Sequence, residues 1–231
     1  MRGVFVTGTD TDCGKTVVAG GLIRTLADAG FSAAGFKPVA AGAAATPAGL
    51  RNDDALALQA ASVPRPAYER VNPICLAPPI APHIAAAEAG RAIGFAPIRA
   101  AHAWLAARYQ ALVVEGAGGW RVPLGPDGDM ADLAVELGHP VVLVVGLRLG
   151  CLNHALLTAA AIRGRGLELL GWVGNLVDPG MARLDDNLAT LRERLEAPCL
   201  GVVPGLDDPM PARAAAHLAE FRRLFVARAD G

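Results

Sequence analysis

The chain has 231 residues, 53% of them hydrophobic and 19% charged, enough to bury a sizeable core as a single domain over 1–231 and too apolar for global disorder. A formal net charge of −1 supplies no overall basic field to draw it onto nucleic acid or an anionic membrane. Its four cysteines, Cys13, Cys75, Cys151 and Cys199, lack the close pairing of a zinc site or disulfide framework, and no apolar run approaches the ~18 residues of a membrane helix.

The chain opens into the apolar run Val4–Val6, which predicts a strand and leaves no room for a signal peptide, so a soluble cytoplasmic protein is expected. Gly8-Thr-Asp-Thr-Asp-Cys-Gly14-Lys15-Thr16 follows, with five residues between Gly8 and Gly14 where the usual phosphate loop has four. In such a loop Gly14 lets consecutive amides point inward, Lys15 offers a charge to the outer phosphates, and the Thr16 hydroxyl is a ready Mg2+ ligand. Helical spacing over Lys15–Ala29, ended by Gly30, completes a strand, loop and helix in the order a phosphate cradle needs. The competing reading is a plain glycine-rich turn with Lys15 solvated.

Further along, apolar runs at Ala33–Phe36, Ala111–Val114, Val141–Val145, Leu169–Val173 and Leu200–Val203 predict strands. Helical segments are expected over Asp53–Ala61, Phe95–Arg108, Met130–Leu137, Asn153–Arg163 and Arg183–Leu195. This alternation predicts an α/β fold, a mostly parallel sheet with helices on both faces. Residues 62–82 are proline-rich and read as a surface excursion, and the alanine-rich stretch Ala40–Ala48 as a flexible turn. Nothing places residues 207–231.

In open parallel sheets ligands collect beyond the carboxyl ends of the strands, which directs attention to the residues following each run. Glu115 ends Ala111–Val114 just before Gly116-Ala-Gly-Gly119. A carboxylate there is costly unless it meets a metal or a neighbouring lysine. Lys37, after Ala33–Phe36, is either a snorkelling surface lysine or a second cation for phosphoryl transfer. Asp53 and Asp54 suit a helix start or N-cap, and Asp54 reaches the site only if its loop folds back. Gly150-Cys-Leu-Asn153 opens a helix, with Asn153 a fair N-cap, and reads equally as an anion site or as ordinary capping. Asn175 follows Leu169–Val173. His83, His102, His139, His154 and His217 show no metal-ligand spacing; Trp104 and Trp172 suit packing, and Trp120 suits either packing or closure of the site.

Taken together, Val6-Thr-Gly-Thr-Asp-Thr-Asp-Cys-Gly-Lys-Thr16, Gly35-Phe-Lys-Pro-Val39, Arg51-Asn-Asp-Asp-Ala-Leu56, Val71-Asn-Pro73, Val114-Glu-Gly-Ala-Gly-Gly119, Val145-Gly-Leu-Arg-Leu-Gly-Cys-Leu-Asn-His-Ala155 and Gly171-Trp-Val-Gly-Asn175 resemble the dethiobiotin synthetase family. The matches run in order from about residue 3 to residue 206 and include the five-residue spacing. The resemblance implies a P-loop NTPase-type fold. It implies an ATP-dependent ligase of biotin biosynthesis that joins CO2 to 7,8-diaminopelargonate and closes the ring to dethiobiotin, releasing ADP and phosphate.

Carried over by position, the resemblance implies Mg2+ at Thr16, Asp54 and Glu115, and ATP phosphates at Asp12, Cys13, Gly14, Lys15, Thr16 and Val17. It implies carbamate or transferring phosphate at the catalytic residues Thr11, Lys15 and Lys37, and adenine at Asn175, Pro204, Gly205 and Leu206. Gly116, Ala117 and Gly118 would line the space between nucleotide and substrate, with Ala41 nearby. Gly150, Cys151, Leu152 and Asn153 would receive the substrate carboxylate from the partner subunit of a homodimer. Ala41 departs from a common serine, and Asn187 stands where some members carry a tyrosine. Two rivals share the fold. A partition or septum-positioning ATPase switch usually carries an extra lysine early in the loop, absent from residues 8–13, and a cobyrinate-type amide ligase normally has a glutaminase domain for which this chain is too short.

Overall fold

The computed structural model describes residues 3–206 and 210–229. Strand β1 (Gly3–Gly8) leads through the loop into helix α1 (Lys15–Asp28) and strand β2 (Ala33–Phe36). A side excursion follows: β3 (Val39–Ala40), the hairpin β4 (Ala44–Thr46) and β5 (Gly49–Arg51), α2 (Asp53–Ala61), α3 (Tyr68–Val71), β6 (Ile74–Cys75), α4 (Pro82–Glu88) and α5 (Phe95–Ala106). The chain re-enters the sheet as β7 (Ala111–Glu115), makes the small hairpin β8 (Pro123–Gly125) and β9 (Gly128–Asp129), then runs through α6 (Met130–Leu137), β10 (Val141–Leu147) and α7 (Cys151–Gly164). It ends with β11 (Leu169–Leu176), α8 (Leu184–Arg194), β12 (Cys199–Val203), α9 (Pro211–Ala215) and α10 (Ala219–Ala229).

Six strands form one parallel sheet in the order β12-β11-β10-β1-β7-β2. Alternation along β1 assigns the two faces. Phe5 joins the core beneath α5, α6 and α7, while Val4 and Val6 join the core beneath α1, α9 and α10. Both layers exclude water, which is why β1, β7 and β10 are buried throughout. Full burial of each such Val or Phe side chain contributes roughly 1.5–3 kcal/mol. Among the described residues, no helix is long and apolar enough to cross a membrane.

Several boundaries differ from expectation. Strands β10 and β11 run two and three residues further than predicted, so Gly146 and Asn175 lie inside the sheet, paired to each other in register. Residues 62–82 hold α3 and β6, and the alanine-rich stretch closes into the β4/β5 hairpin. Helix α2 is capped by Asn52, whose side chain accepts the Ala55 N–H, and Asp53 and Asp54 occupy its first turn. Helix α7 begins at Cys151 after a left-handed Gly150, so Asn153 is an exposed residue of the first turn and not the cap. The C-terminal helices, unplaced by sequence, pack on α1: Gly20 and Gly21 lie close to Pro211, Ala214 and Leu218, and Phe221 and Phe225 are fully buried. Residues 207–209 and 230–231 lie outside the described residues.

Candidate active site

Two close approaches shape the phosphate loop. Gly14 has φ +91, and a Cβ on it would lie 2.0 Å from Asn175 Nδ2, so both the turn and the adjacent strand require glycine there. A Cβ on Gly8 would lie 2.3 Å from Cys13 Sγ. The surplus residue is taken up in an outward bend anchored to β10: the Thr9 N–H donates to Val144 O at 3.0 Å, the Gly146 N–H to Thr9 Oγ1 at 3.3 Å, and Arg148 pairs with Asp10 at 2.7 Å. Thr11 and Asp12 at its crest are exposed, Asp12 with a positive φ. Lys15 is buried and folds back to donate to Asp10 O at 2.7 Å.

Beside this loop, one ammonium gathers the acidic groups. Lys37 Nζ lies 2.6 Å from Glu115 Oε1, 3.0 Å from Asp54 Oδ2 and 3.4 Å from Gly116 O. Thr16 Oγ1 donates to the same Glu115 oxygen at 2.9 Å, while the buried Glu115 Oε2 has no hydrogen-bond partner among the described residues. Burial works against the charge on Lys37, but Glu115 and then Asp54 outweigh it and hold the ammonium pKa above the usual lysine value. Burial likewise opposes ionisation of Asp54, and the Lys37 charge overcomes it, keeping that carboxyl below its ordinary range. Lys37 therefore does not snorkel to solvent, and Asp54 does fold back.

A cavity of about 1040 Å³ opens over these groups and brings together Thr11, Asp12, Gly14, Lys15, Thr16, Val17, Lys37, Ala41, Asp54, Glu115, Ala117 and Gly118. Its far wall comes from Pro79, Ile80, Ala81 and Pro82. A second, of about 330 Å³, is lined by Val17, Asn175, Leu176, Val177, Pro179, Pro204, Gly205 and Leu206. Val17 lines both. Asn175 also donates from Nδ2 to Cys13 O at 3.1 Å, tying the second cavity to the phosphate loop.

Other sequence-predicted residues lie apart. Cys13 is buried and Gly116 contributes its carbonyl to Lys37, but neither lines the two cavities described above. Gly150, Cys151, Leu152 and Asn153 line neither cavity of their own chain. The Cys151 side chain is in the core and its N–H is donated to Arg148 O. Asn187 Nδ2 donates to Arg183 O within the start of α8. Trp120 packs edge-on against Phe5 in the core, so it supports the floor of the glycine loop. His102 and His139 meet Nε2 to Nε2 at 2.8 Å, a pairing that their sequence separation concealed.

Sequence reasoning missed the polar side chain of Asn52 on the cavity wall and those of Tyr68 and Asn72 behind it. Asn52, Tyr68 and Asn72 are buried and bonded to one another through the Tyr68 hydroxyl and the Asn52 backbone. The only signal was that Asn52 and Asn72 stand in two of the matched segments, Arg51–Leu56 and Val71–Pro73.

A family model described as an AAA domain matches residues 2–213. A Pseudomonas paraeruginosa protein named ATP-dependent dethiobiotin synthetase BioD is 58% identical over 219 residues, covering 94% of this chain and 96% of that protein. The protein of that name from Chromohalobacter salexigens is 53% identical over 234 residues, covering 97% and 98%. Among solved structures, the septum site-determining protein MinD complexed with Mg-ADP from Pyrococcus horikoshii OT3 matches with a TM-score of 0.58 at 14% identity, covering 100% of this chain and 97% of that one. The MinC:MinD cell division protein complex from Aquifex aeolicus matches at 0.61 and 13%, covering 98% and 96%. At such identities the structures speak for the P-loop NTPase-type α/β fold alone, whereas more than half of the sequence is shared with synthetases over nearly their whole length. The chain belongs to the ATP-dependent dethiobiotin synthetase family.

Proposed function

We infer that this chain makes dethiobiotin, carboxylating 7,8-diaminopelargonate with CO2 and closing the ureido ring at the expense of ATP. The observation that carries the assignment of roles is the Lys37 ammonium held between Glu115 and Asp54, on the same cavity as the Gly14–Thr16 loop. The reaction must bring an anionic carbamate to a triphosphate despite their repulsion, and two buried lysines facing one cavity suit that task.

One amine of the substrate adds to CO2, losing a proton to give the carbamate. A carbamate oxygen takes the γ-phosphoryl group from ATP, and ADP leaves. The second amine then attacks the carbonyl carbon of the mixed anhydride, its proton and the phosphate depart together as hydrogen phosphate, and the cyclic urea closes. Lys15 and Lys37 offset charge that accumulates on the transferring phosphoryl group, and Thr11 at the crest of the loop contacts carbamate and phosphate. Asp12, Cys13 and Gly14 present backbone amides to the phosphates, Gly116, Ala117 and Gly118 separate nucleotide from substrate, and Asn175, Pro204, Gly205 and Leu206 receive the adenine in the smaller cavity.

The residues fit a divalent cation. Glu115 Oε2 is buried and unpartnered among the described residues, and Thr16 and Asp54 add hard oxygen donors beside it. Among the described residues no three His, Cys, Asp or Glu side chains cluster to hold a metal by themselves, so Mg2+ would share Thr16, Asp54 and Glu115 with phosphate oxygens. When bound, Mg2+ neutralises phosphate charge and polarises the transferring group.

In the same reading, Gly150, Cys151, Leu152 and Asn153 serve a second copy of the chain, receiving the distant substrate carboxylate in a homodimer. Leu149 beside them is 96% exposed, and Leu156 and Leu157 are exposed on the helix they begin. The four cysteines are unpaired, in keeping with a reducing cytoplasmic compartment.

Purified protein given Mg-ATP, diaminopelargonate and bicarbonate is expected to form dethiobiotin in step with ADP. ATP hydrolysis without a diamine-dependent product would overturn the synthetase reading and favour an ATPase switch.

A further inference from the structure

Lys37 lies one residue beyond β2, whose pairing with β7 ends at Phe36 and Val114. Its backbone is held from the other side. The Lys37 N–H donates to Val71 O at 2.8 Å, and its carbonyl accepts Asn72 Nδ2 at 2.7 Å. Asn72 Oδ1 in turn accepts the Tyr68 hydroxyl at 3.0 Å, and the Tyr68 oxygen accepts the Asn52 N–H at 2.8 Å. Asn52 caps the helix that presents Asp54, and its Nδ2 donates to Ala41 O at 3.2 Å on the cavity wall.

Building on the synthetase reading, we infer that Tyr68 is a positioning residue whose hydroxyl sets the Lys37 backbone against the start of the Asp54 helix. Packing alone does not require the hydroxyl, since phenylalanine fills the same volume. Besides a 3.5 Å contact with Cys75 Sγ, the oxygen adds one bond to each of the two segments whose side chains meet at 3.0 Å in the site. Without it, the buried Asn52 N–H and Asn72 Oδ1 lose their partner and shift to find others. The Arg51 guanidinium, 4.2 Å over the ring, keeps the tyrosine from turning away.

The test is Tyr68→Phe beside Tyr109→Phe, a second buried tyrosine whose hydroxyl donates to Pro64 O away from the site. For Tyr68→Phe, kcat is expected to fall about 10- to 100-fold and the KM for the diamine to rise, with the KM for ATP and the nucleotide-binding stoichiometry unchanged. Tyr109→Phe should lower only the melting temperature. In protein free of substrates, trace acetylation of Lys37 read by mass spectrometry should increase several-fold in Tyr68→Phe, and in Asn72→Ala, which breaks the same link on its other side. Wild-type kcat and Lys37 labelling in Tyr68→Phe would overturn the proposal. A kcat loss matched by lost nucleotide sites would overturn it too. Because the labelling needs no substrate, a wild-type protein that forms no dethiobiotin would overturn the functional reading and leave the positioning result standing.

Discussion

The Lys37 ammonium and the Glu115 carboxylate stand 2.6 Å apart with 4% and 0% of their side chains exposed, joining the end of β2 to the end of β7. Adjacent parallel strands bring the two charges side by side, and burial makes each dependent on the other. Asp54 completes the group from α2 with 44% of its side chain exposed, so it contributes less to stability than to the charge of the cavity.

Replacing Lys37 with alanine leaves Glu115 buried without its cation. A loss of about 3–5 kcal/mol in unfolding free energy is expected at neutral pH, together with a fall of about 10²-fold or more in turnover. Denaturant unfolding and steady-state kinetics measure the two effects. Lys37→Met combined with Glu115→Gln should recover much of the stability and none of the activity. A single variant as stable and active as wild type would remove Lys37 from the site.

The His102 and His139 pair predicts an acid-sensitive fold. Burial, and then the neighbouring His102, push His139 down to about 4 from its ordinary 6.5, and burial lowers His102 as well. The unfolded chain takes up its proton near 6.5 and the folded chain resists until about 4, so stability is fully present above 6.5 and is lost as pH falls through that window. The His139 contribution approaches about 3 kcal/mol at its limit. Unfolding curves from pH 7.5 to 4.5 should show this slope, flattened in His139→Gln. Equal slopes in the two proteins would count against a neutral histidine pair.

Ala41 lines the cavity, and its carbonyl is already used by Asn52. Ala41→Ser therefore adds a hydroxyl to the wall without removing a bond. The KM for the diamine should fall about 2- to 10-fold, the scale of one added hydrogen bond, with kcat and melting temperature unchanged. An unchanged KM would mean that the substrate does not reach this wall.

Gly14→Ala meets both a left-handed backbone and a clash with Asn175. Nucleotide affinity, read by calorimetry, should drop at least about 100-fold, with a lower melting temperature. Retained affinity would show that the loop and β11 can separate without cost.

Much of the architecture was legible because it is governed by local pattern. The six apolar runs became the six strands of the main sheet since residues buried on both faces need no alternation, and the expected order of strand, glycine-flanked loop and helix around Gly8–Thr16 is the one observed. The ends of β10 and β11 were misread because Gly146 and Asn175 look like loop residues. Neighbouring strands, not their own propensities, keep them in the sheet. Asp53 and Asp54 carry the same helix-start chemistry, and only the backbone path of α2 exposes Asp53 to water and directs Asp54 to Lys37.

The sequence by itself therefore determined a parallel α/β sheet, a phosphate loop and, through its matched segments, the synthetase family. The tertiary structure decided which acids share one ammonium, where the C-terminal helices pack, and that Tyr68 and Asn72 stand behind Asn52 at the cavity wall. Helical and strand patterns are set by neighbours a few positions away, whereas Lys37 finds Glu115 across 78 residues and Asn175 reaches Cys13 across 162, where only the crossover connections bring them together.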